Sequence, residues 1–165
     1  MPQDQGRKDV LTFALTDTNV FVHYEFFKNV DWAAELSTRE VTLVVPPVVL
    51  EELDKRKWAG TRREKERAKT VLRAFRELGL STTPIRIRTG VSIMALDDEP
   101  DDAFLARHRL QARAADDRLL ASALALKERQ PNARVLVLTG DTGLSIKAPT
   151  RQMEVAMTAD RLETC

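Results

Sequence analysis

The chain has 165 residues, 43% hydrophobic and 31% charged, which is the length and composition of one globular domain with enough apolar residues to bury a core. Its longest apolar stretch free of charge, residues 41–50, holds ten residues and two prolines, about half of the roughly 20 needed to cross a bilayer. A membrane-spanning protein is excluded. The net charge of +1 by itself says nothing about a nucleic-acid partner.

Residues 1–9 carry charges of both signs and lead directly into a strand-like run, without the apolar region and small-residue cleavage site of a signal peptide. A cytoplasmic location is expected. The single cysteine, Cys165, excludes an intramolecular disulfide or a cysteine-cluster metal site, and His23 and His108 are too few for the usual histidine zinc site. Carboxylates must therefore carry any chemistry. The charges are unevenly spread. Residues 54–76 hold ten Lys or Arg against three acids, whereas residues 97–117 hold seven acids against three Arg.

In chain order, residues 11–16 are rich in β-formers and end at the polar step Asp17-Thr18-Asn19, followed by the apolar Val20-Phe21-Val22; this predicts a strand, a turn and a helix. Residues 41–45 form a near-continuous apolar run stopped by Pro46-Pro47, as a central parallel strand requires. Residues 48–58 place Val49, Leu50 and Leu53 at helical spacing, with Gly60 as the stop. Across residues 61–80, Ala68, Val71, Leu72, Phe75 and Leu78 make one apolar stripe while arginines and lysines fill the other face. An amphipathic helix with a basic outer surface is predicted.

Residues 85–88 alternate with period two, and residues 91–96 form another strand candidate, with Gly90 between them. The polar residues 97–111 carry no clear periodicity. Asp116-Asp117 precede the helix-forming residues 119–126, whose start acids favour through capping and the helix dipole. Residues 134–139 form a second buried-strand candidate ending in the turn Gly140-Asp141-Thr142-Gly143, and residues 153–157 a last strand. Strands alternating with helices imply a mainly parallel sheet with helices on both faces.

In such sheets ligands bind beyond the C-terminal strand ends, where strand order reverses. Four places there carry acids: Asp17, the pair Glu51-Glu52, the pair Asp116-Asp117, and Asp141. Each has an ordinary alternative. Asp17 and Asp117 suit N-caps, Asp141 suits a turn, and Glu51 and Glu52 suit i,i+4 pairing with Lys55 and Arg56. Carboxylates gathered at one edge repel one another unless cations neutralise them. Hard divalent ions such as Mg²⁺ or Mn²⁺ take oxygen ligands and can activate water for attack on a phosphodiester, which points to a metal-dependent nuclease.

The stretches Phe13-Ala14-Leu15-Thr16-Asp17-Thr18-Asn19-Val20-Phe21, Val44-Val45-Pro46-Pro47-Val48-Val49-Leu50-Glu51-Glu52-Leu53, Asp116-Asp117-Arg118-Leu119-Leu120-Ala121 and Leu138-Thr139-Gly140-Asp141 resemble, in order, the four signature stretches of the PIN domain family. The resemblance covers residues 11–157. It implies a three-layer α/β/α sandwich and a Mg²⁺- or Mn²⁺-dependent endoribonuclease with an acid tetrad. By the match, Asp17, Glu52, Asp117 and Asp141 are the catalytic and metal-binding acids, with Asp116 a further ligand or supporting group, and Asn19 and Thr139 orienting water or carboxylates. The last motif, Thr139-Gly140-Asp141-Thr142-Gly143-Leu144-Ser145-Ile146-Lys147-Ala148, is more similar to the branch found in RNA-decay enzymes and ATPase fusions than to the toxin branch, although Gly140 departs from the Asn or Asp often found there. Lys55, Arg56, Arg62, Arg63 and Lys69 form the expected RNA track, since Lys and Arg attract phosphates without regard to sequence; their ordinary alternative is a solvated helix face. Trp58 suits either a base stack or a partly buried anchor.

The partner implied is RNA, single-stranded or structured. A second copy, an antitoxin and an associated or fused ATPase are partners the sequence leaves open. A catalytically silent RNA- or partner-binding domain of the same fold is the main alternative. A haloacid-dehalogenase-type phosphatase is the lesser one, because Asn19 stands where that mechanism needs a second acid.

Overall fold

The computed structural model describes residues 10–158; the charged N-terminal residues 1–9 and Cys165 lie outside the described residues. The first run forms β1 (Thr12–Thr16), and the polar step turns it into α1 (Thr18–His23), followed after a short 3-10 turn by α2 (Trp32–Glu35). The second apolar run is β2 (Val41–Val45), from which Pro46 and Pro47 start α3 (Pro47–Arg56). Proline suits this position because its fixed φ fits the first helical turn and its missing N–H has no partner to lose there. The basic amphipathic helix is α4 (Arg62–Leu78), entered through a Thr61/Glu64 capping box and closed by Gly79 in the left-handed region.

Next come β3 (Ile85–Arg88) and β4 (Val91–Ala95), an antiparallel pair turned at Gly90. Gly90 has φ +77°, and a Cβ there would lie 2.9 Å from the Arg39 carbonyl, so only glycine suits the turn. The polar stretch left unplaced by periodicity contains α5 (Asp102–Arg107), started by Asp101 accepting the Phe104 amide at 2.9 Å. The chain closes with α6 (Ala115–Arg129), β5 (Arg134–Thr139), α7 (Thr142–Lys147), a 3-10 turn (Pro149–Arg151) and β6 (Glu154–Met157).

The six strands lie in the order β3-β4-β2-β1-β5-β6, and only β3 runs against the others. With helices on both faces this is the expected α/β/α sandwich. Leu43, Val44 and Val45 of β2, Ala14 and Leu15 of β1, and Leu136 and Val137 of β5 are fully buried, as central strands covered on both sides must be. Phe21, Phe27 and Phe75 pack edge-on or tilted beside them with ring centres 5.3 to 5.6 Å apart. Among the described residues no helix is long and apolar enough to cross a membrane. From β1 the chain moves to β2 on one side, and from β4 it crosses to β5 on the other. The strand order therefore reverses around β1, and in such sheets ligands bind beyond the C-terminal strand ends at that point, here the ends of β2, β1 and β5.

Candidate active site

Asp17 follows β1 directly, its amide bonded to the Leu138 carbonyl of β5 at 2.9 Å. It stands at the N-cap position of α1, yet its side chain makes no capping bond. One carboxylate oxygen instead accepts the Thr139 hydroxyl at 2.8 Å. That hydroxyl oxygen in turn accepts the Asp141 amide at 2.9 Å, so one threonine fixes the first acid against the backbone of the fourth. Asp17 is 6% exposed. Burial, opposed by the Thr139 bond and reinforced by repulsion from Asp116 and Glu52, pushes its carboxyl up to about 6.

Glu52 lies one turn into α3 and is held by the Thr18 hydroxyl, which donates to it at 2.5 Å. Asp141 caps α7, one oxygen accepting the Leu144 amide at 2.7 Å. Asp116, in the first turn of α6, lies toward solvent. Partial burial and repulsion from Asp141, Glu52 and Asp117 nevertheless raise its carboxyl, against the pull of Lys147. Mutual repulsion thus links Asp17, Glu52, Asp116 and Asp141, carried by four different helices or helix starts at one edge of the sheet.

Asp117, matched above to the third position, is placed elsewhere. It is 2% exposed, accepts the Gln111 amide at 2.8 Å and is paired with the Lys147 ammonium. Successive helical residues point about 100° apart, so when Asp117 is turned into the α6–α7 contact its neighbour Asp116 takes the edge. Neither aspartate caps the helix: the N-cap is Ala114. The ordinary pairing considered for Glu51 is also replaced. It bonds Arg118 of α6 at 2.6 Å, Arg118 grips Glu99 through two further nitrogens at 2.8 and 3.0 Å, and the Arg118 bond holds the Glu51 carboxyl below its ordinary value.

All four clustered side chains offer oxygen, the donor preferred by hard divalent cations, and the buried, mutually repelling Asp17 fits a place that a cation would relieve. As the side chains stand, no three His, Cys, Asp or Glu among the described residues form a ready ligating group; Glu52 is drawn to Thr18 and Asp141 to its cap.

The family model for the PIN domain matches residues 14–159. The chain belongs to the PIN domain family. Members of this family are generally nucleases, which the phosphatase alternative does not share. A solved structure described as a domain of a functionally unknown protein from Methanocaldococcus jannaschii DSM 2661 matches this PIN domain with a TM-score of 0.51 and 15% identity, over 94% of this chain and 96% of that one. At that identity the likeness bears on the fold alone. No curated protein matches.

Of the supporting residues expected in the PIN domain, Thr139 makes the bridge just described, whereas Asn19 is half-buried and, among the described residues, bonds none of the acids. Lys55 and Arg56 close α3, and Arg62, Arg63 and Lys69 lie on α4. Arg56 stands 3.8 Å from Glu64 and Lys69 3.5 Å from Glu66, which offsets part of their charge. Trp58 is 76% exposed, so it is no buried anchor. Sequence reasoning missed Thr18, Arg118 and Lys147. Thr18 was signalled by its place beside Asp17, but the cross-chain contacts of Arg118 and Lys147 leave no local pattern.

Proposed function

We propose that this PIN domain is a metal-dependent endoribonuclease whose working acids are Asp17, Glu52, Asp116 and Asp141. The observation that carries the reading is the gathering of these four carboxylates at the strand-order reversal, with the buried Asp17 held by a neutral hydroxyl. These residues would hold Mg²⁺ or Mn²⁺. Such a cation, when bound, supplies Lewis acidity toward a phosphodiester and lowers the pKa of a water. Thr139 keeps the Asp17 carboxylate turned toward the edge and the Asp141 backbone beside it; Thr18 does the same for Glu52.

Lys55, Arg56, Arg62, Arg63 and Lys69 are proposed as the RNA track, supported by their place at the end of α3, the helix that carries Glu52, and along the first half of α4. The exposed Trp58, with the Lys57 ammonium 5.8 Å from its ring centre, is available to stack on a base. The cytoplasm is the proposed location. The test is incubation of purified protein with single-stranded and structured RNA in Mn²⁺, Mg²⁺ or EDTA. Cleavage with either metal that stops in EDTA is expected; RNA binding without cleavage under every condition would instead favour the silent domain.

A further inference from the structure

A second concave site lies at the far end of α6, eleven positions beyond Asp116 and so about 16 Å along the helix. It is a pocket of about 460 Å³ whose walls carry Arg107, Arg109, Lys127 and Arg151 against one carboxylate, Glu128. Residues 97–117 are acidic in sum, which hides this in the sequence.

Two of these cations are oriented without being neutralised. Arg151 donates to the His108 carbonyl at 3.0 Å, the Arg109 carbonyl at 3.2 Å and the Thr150 hydroxyl at 3.0 Å, and Lys127 donates to the Gln152 carbonyl at 2.6 Å. Carbonyls fix the side chains yet leave their full charge available. The backbone is unusual at the same points. Arg109 and Gln152, with φ of +57° and +54°, are two of the three non-glycine residues in the left-handed region among the described residues, and both line this pocket. Both are helix-end turns: Arg109 closes α5, with the Leu110 amide returning to the Leu105 carbonyl at 2.8 Å, and Gln152 closes the second 3-10 turn, with the Met153 amide on the Ala148 carbonyl at 3.1 Å. Arg151 and Lys127 therefore reach the carbonyls that these two turns present. Arg107 is held by Glu128 at 3.0 Å and over the Phe104 ring. His108 Nε2 is buried 3.7 Å from the same Glu128 carboxylate, outside hydrogen-bond distance, and the Arg109 side chain has no hydrogen-bond partner among the described residues.

We propose that this pocket binds phosphate groups, supplied either by an RNA strand running along α6 or by a free polyphosphate such as a nucleotide carries. Guanidinium forks match phosphate oxygens in pairs, and three positive charges in excess suit adjacent phosphates better than a single carboxylate. The site stands apart from the nuclease reading, because binding can be followed in EDTA, where no cleavage is needed.

The experiment uses the full chain, its Arg107→Gln/Arg109→Asn double variant and Arg109→Asn alone. Asparagine tolerates the left-handed backbone, and Arg151 and Lys127 keep the loops in place. Two probes are used in EDTA: inorganic pyrophosphate, read by thermal shift, and a labelled single-stranded RNA, read by anisotropy across a salt series. Pyrophosphate is expected to raise the parent's melting temperature, with the shift lost in the double variant and reduced in Arg109→Asn. If RNA is the source, the double variant also binds RNA at least about fivefold more weakly, with a log–log salt slope smaller by roughly 0.7 for each RNA phosphate that is no longer neutralised. A change with pyrophosphate alone assigns the pocket to free phosphates. Equal responses of parent and variants to both probes overturn the proposal. Asp17→Asn serves as the control that separates the two readings, since it should keep RNA binding whether or not it loses cleavage.

Discussion

Two sets of carboxylates occupy neighbouring turns of this molecule and have met opposite fates. At the C-terminal strand ends, Asp17 and Glu52 accept threonine hydroxyls and Asp141 a backbone amide, donors that orient a carboxylate without cancelling its charge. One residue away, Glu51 bonds Arg118 and Asp117 pairs with Lys147. The electrostatic consequence runs in opposite directions: Asp17 is pushed up to about 6, whereas Glu51 is held below its ordinary value. An acid that has found its cation within the fold has finished its work in folding. An acid held by neutral donors and facing other acids still lacks a counter-charge. The adjacent pairs Glu51/Glu52 and Asp116/Asp117 straddle this division because helical geometry sends neighbours to different faces.

The contrast is broken most severely by removing the unneutralised acids. Asp17→Asn, Glu52→Gln, Asp116→Asn and Asp141→Asn are each expected to lower metal-dependent RNA cleavage by at least about 10²-fold, the loss typical of a removed catalytic electrostatic group, while the proteins remain folded. Single-turnover cleavage assays with circular dichroism as the folding check would measure this. Full activity in Asp116→Asn, with loss in a folded Asp117→Asn, would return the third place to Asp117.

Next in size is the buried pair. Lys147→Met leaves the Asp117 carboxylate interior and without its cation, a change that should destabilise by roughly 3 kcal/mol, the low end for such a loss because Lys147 is partly solvated. Asp117→Asn should cost less, since the neutral amide oxygen can still accept the Gln111 N–H while Lys147 turns to solvent. Urea unfolding of the two variants tests the order. If Asp117→Asn is the more harmful to stability, the cost lies in the Gln111 bond rather than in the stranded charge.

The strands β1, β2 and β5 were legible because buried parallel strands need uninterrupted apolar runs, and residues 41–45 and 134–139 are such runs. Asp17 and Asp141 were legible for a related reason: Asp17 follows β1 directly and Asp141 follows β5 after Gly140, so topology alone carries both to the C-terminal strand ends. The proposal of Asp116 in place of Asp117 rests on how α6 is turned about its axis, with Asp117 buried against Lys147, thirty residues onward, and no local pattern records that pairing. The short α5 escaped because its one stabilising signal, the Asp101 cap, stands among several similar acids, Asp97, Asp98 and Asp102 among them. The basic pocket escaped because its cations come from three separate segments, one of them acidic in sum.

The raised carboxyl of Asp17 gives a prediction in pH. Its folded value of about 6 lies above the ordinary 3.8, so between those values the folded state holds more protons than the unfolded one, and stability falls as pH rises. Below about 4 the group is protonated in both states and has no effect. Above about 6 the whole penalty is present. Metal-free Asp17→Asn should therefore be more stable than the parent at pH 7.5, by up to about 3 kcal/mol, and the gap should close toward pH 4. Urea midpoints in EDTA at pH 4, 5, 6 and 7.5 would show it. A gap that widens on acidification would mean that the Asp17 carboxylate is stabilised by the fold, and its place among unneutralised acids would be lost.

The smallest expected effect comes from Glu51→Gln, beside the largest. Glu51 is half-exposed and Arg118 keeps both contacts to Glu99, so removing one charge should cost at most about 1 kcal/mol. The loss should shrink further in high salt, because exposed pairs are screened. A glutamine oxygen can still accept from Arg118, so α3 and α6 stay tied and cleavage should remain within about twofold of the parent. Glu52→Gln, one position along the same helix, should meanwhile lose at least about 10²-fold. A large loss of cleavage in Glu51→Gln at unchanged stability would mean that the Arg118 clasp sets the positions of Glu52 and Asp116, and that a neutralised carboxylate can govern the site through the cation that neutralises it.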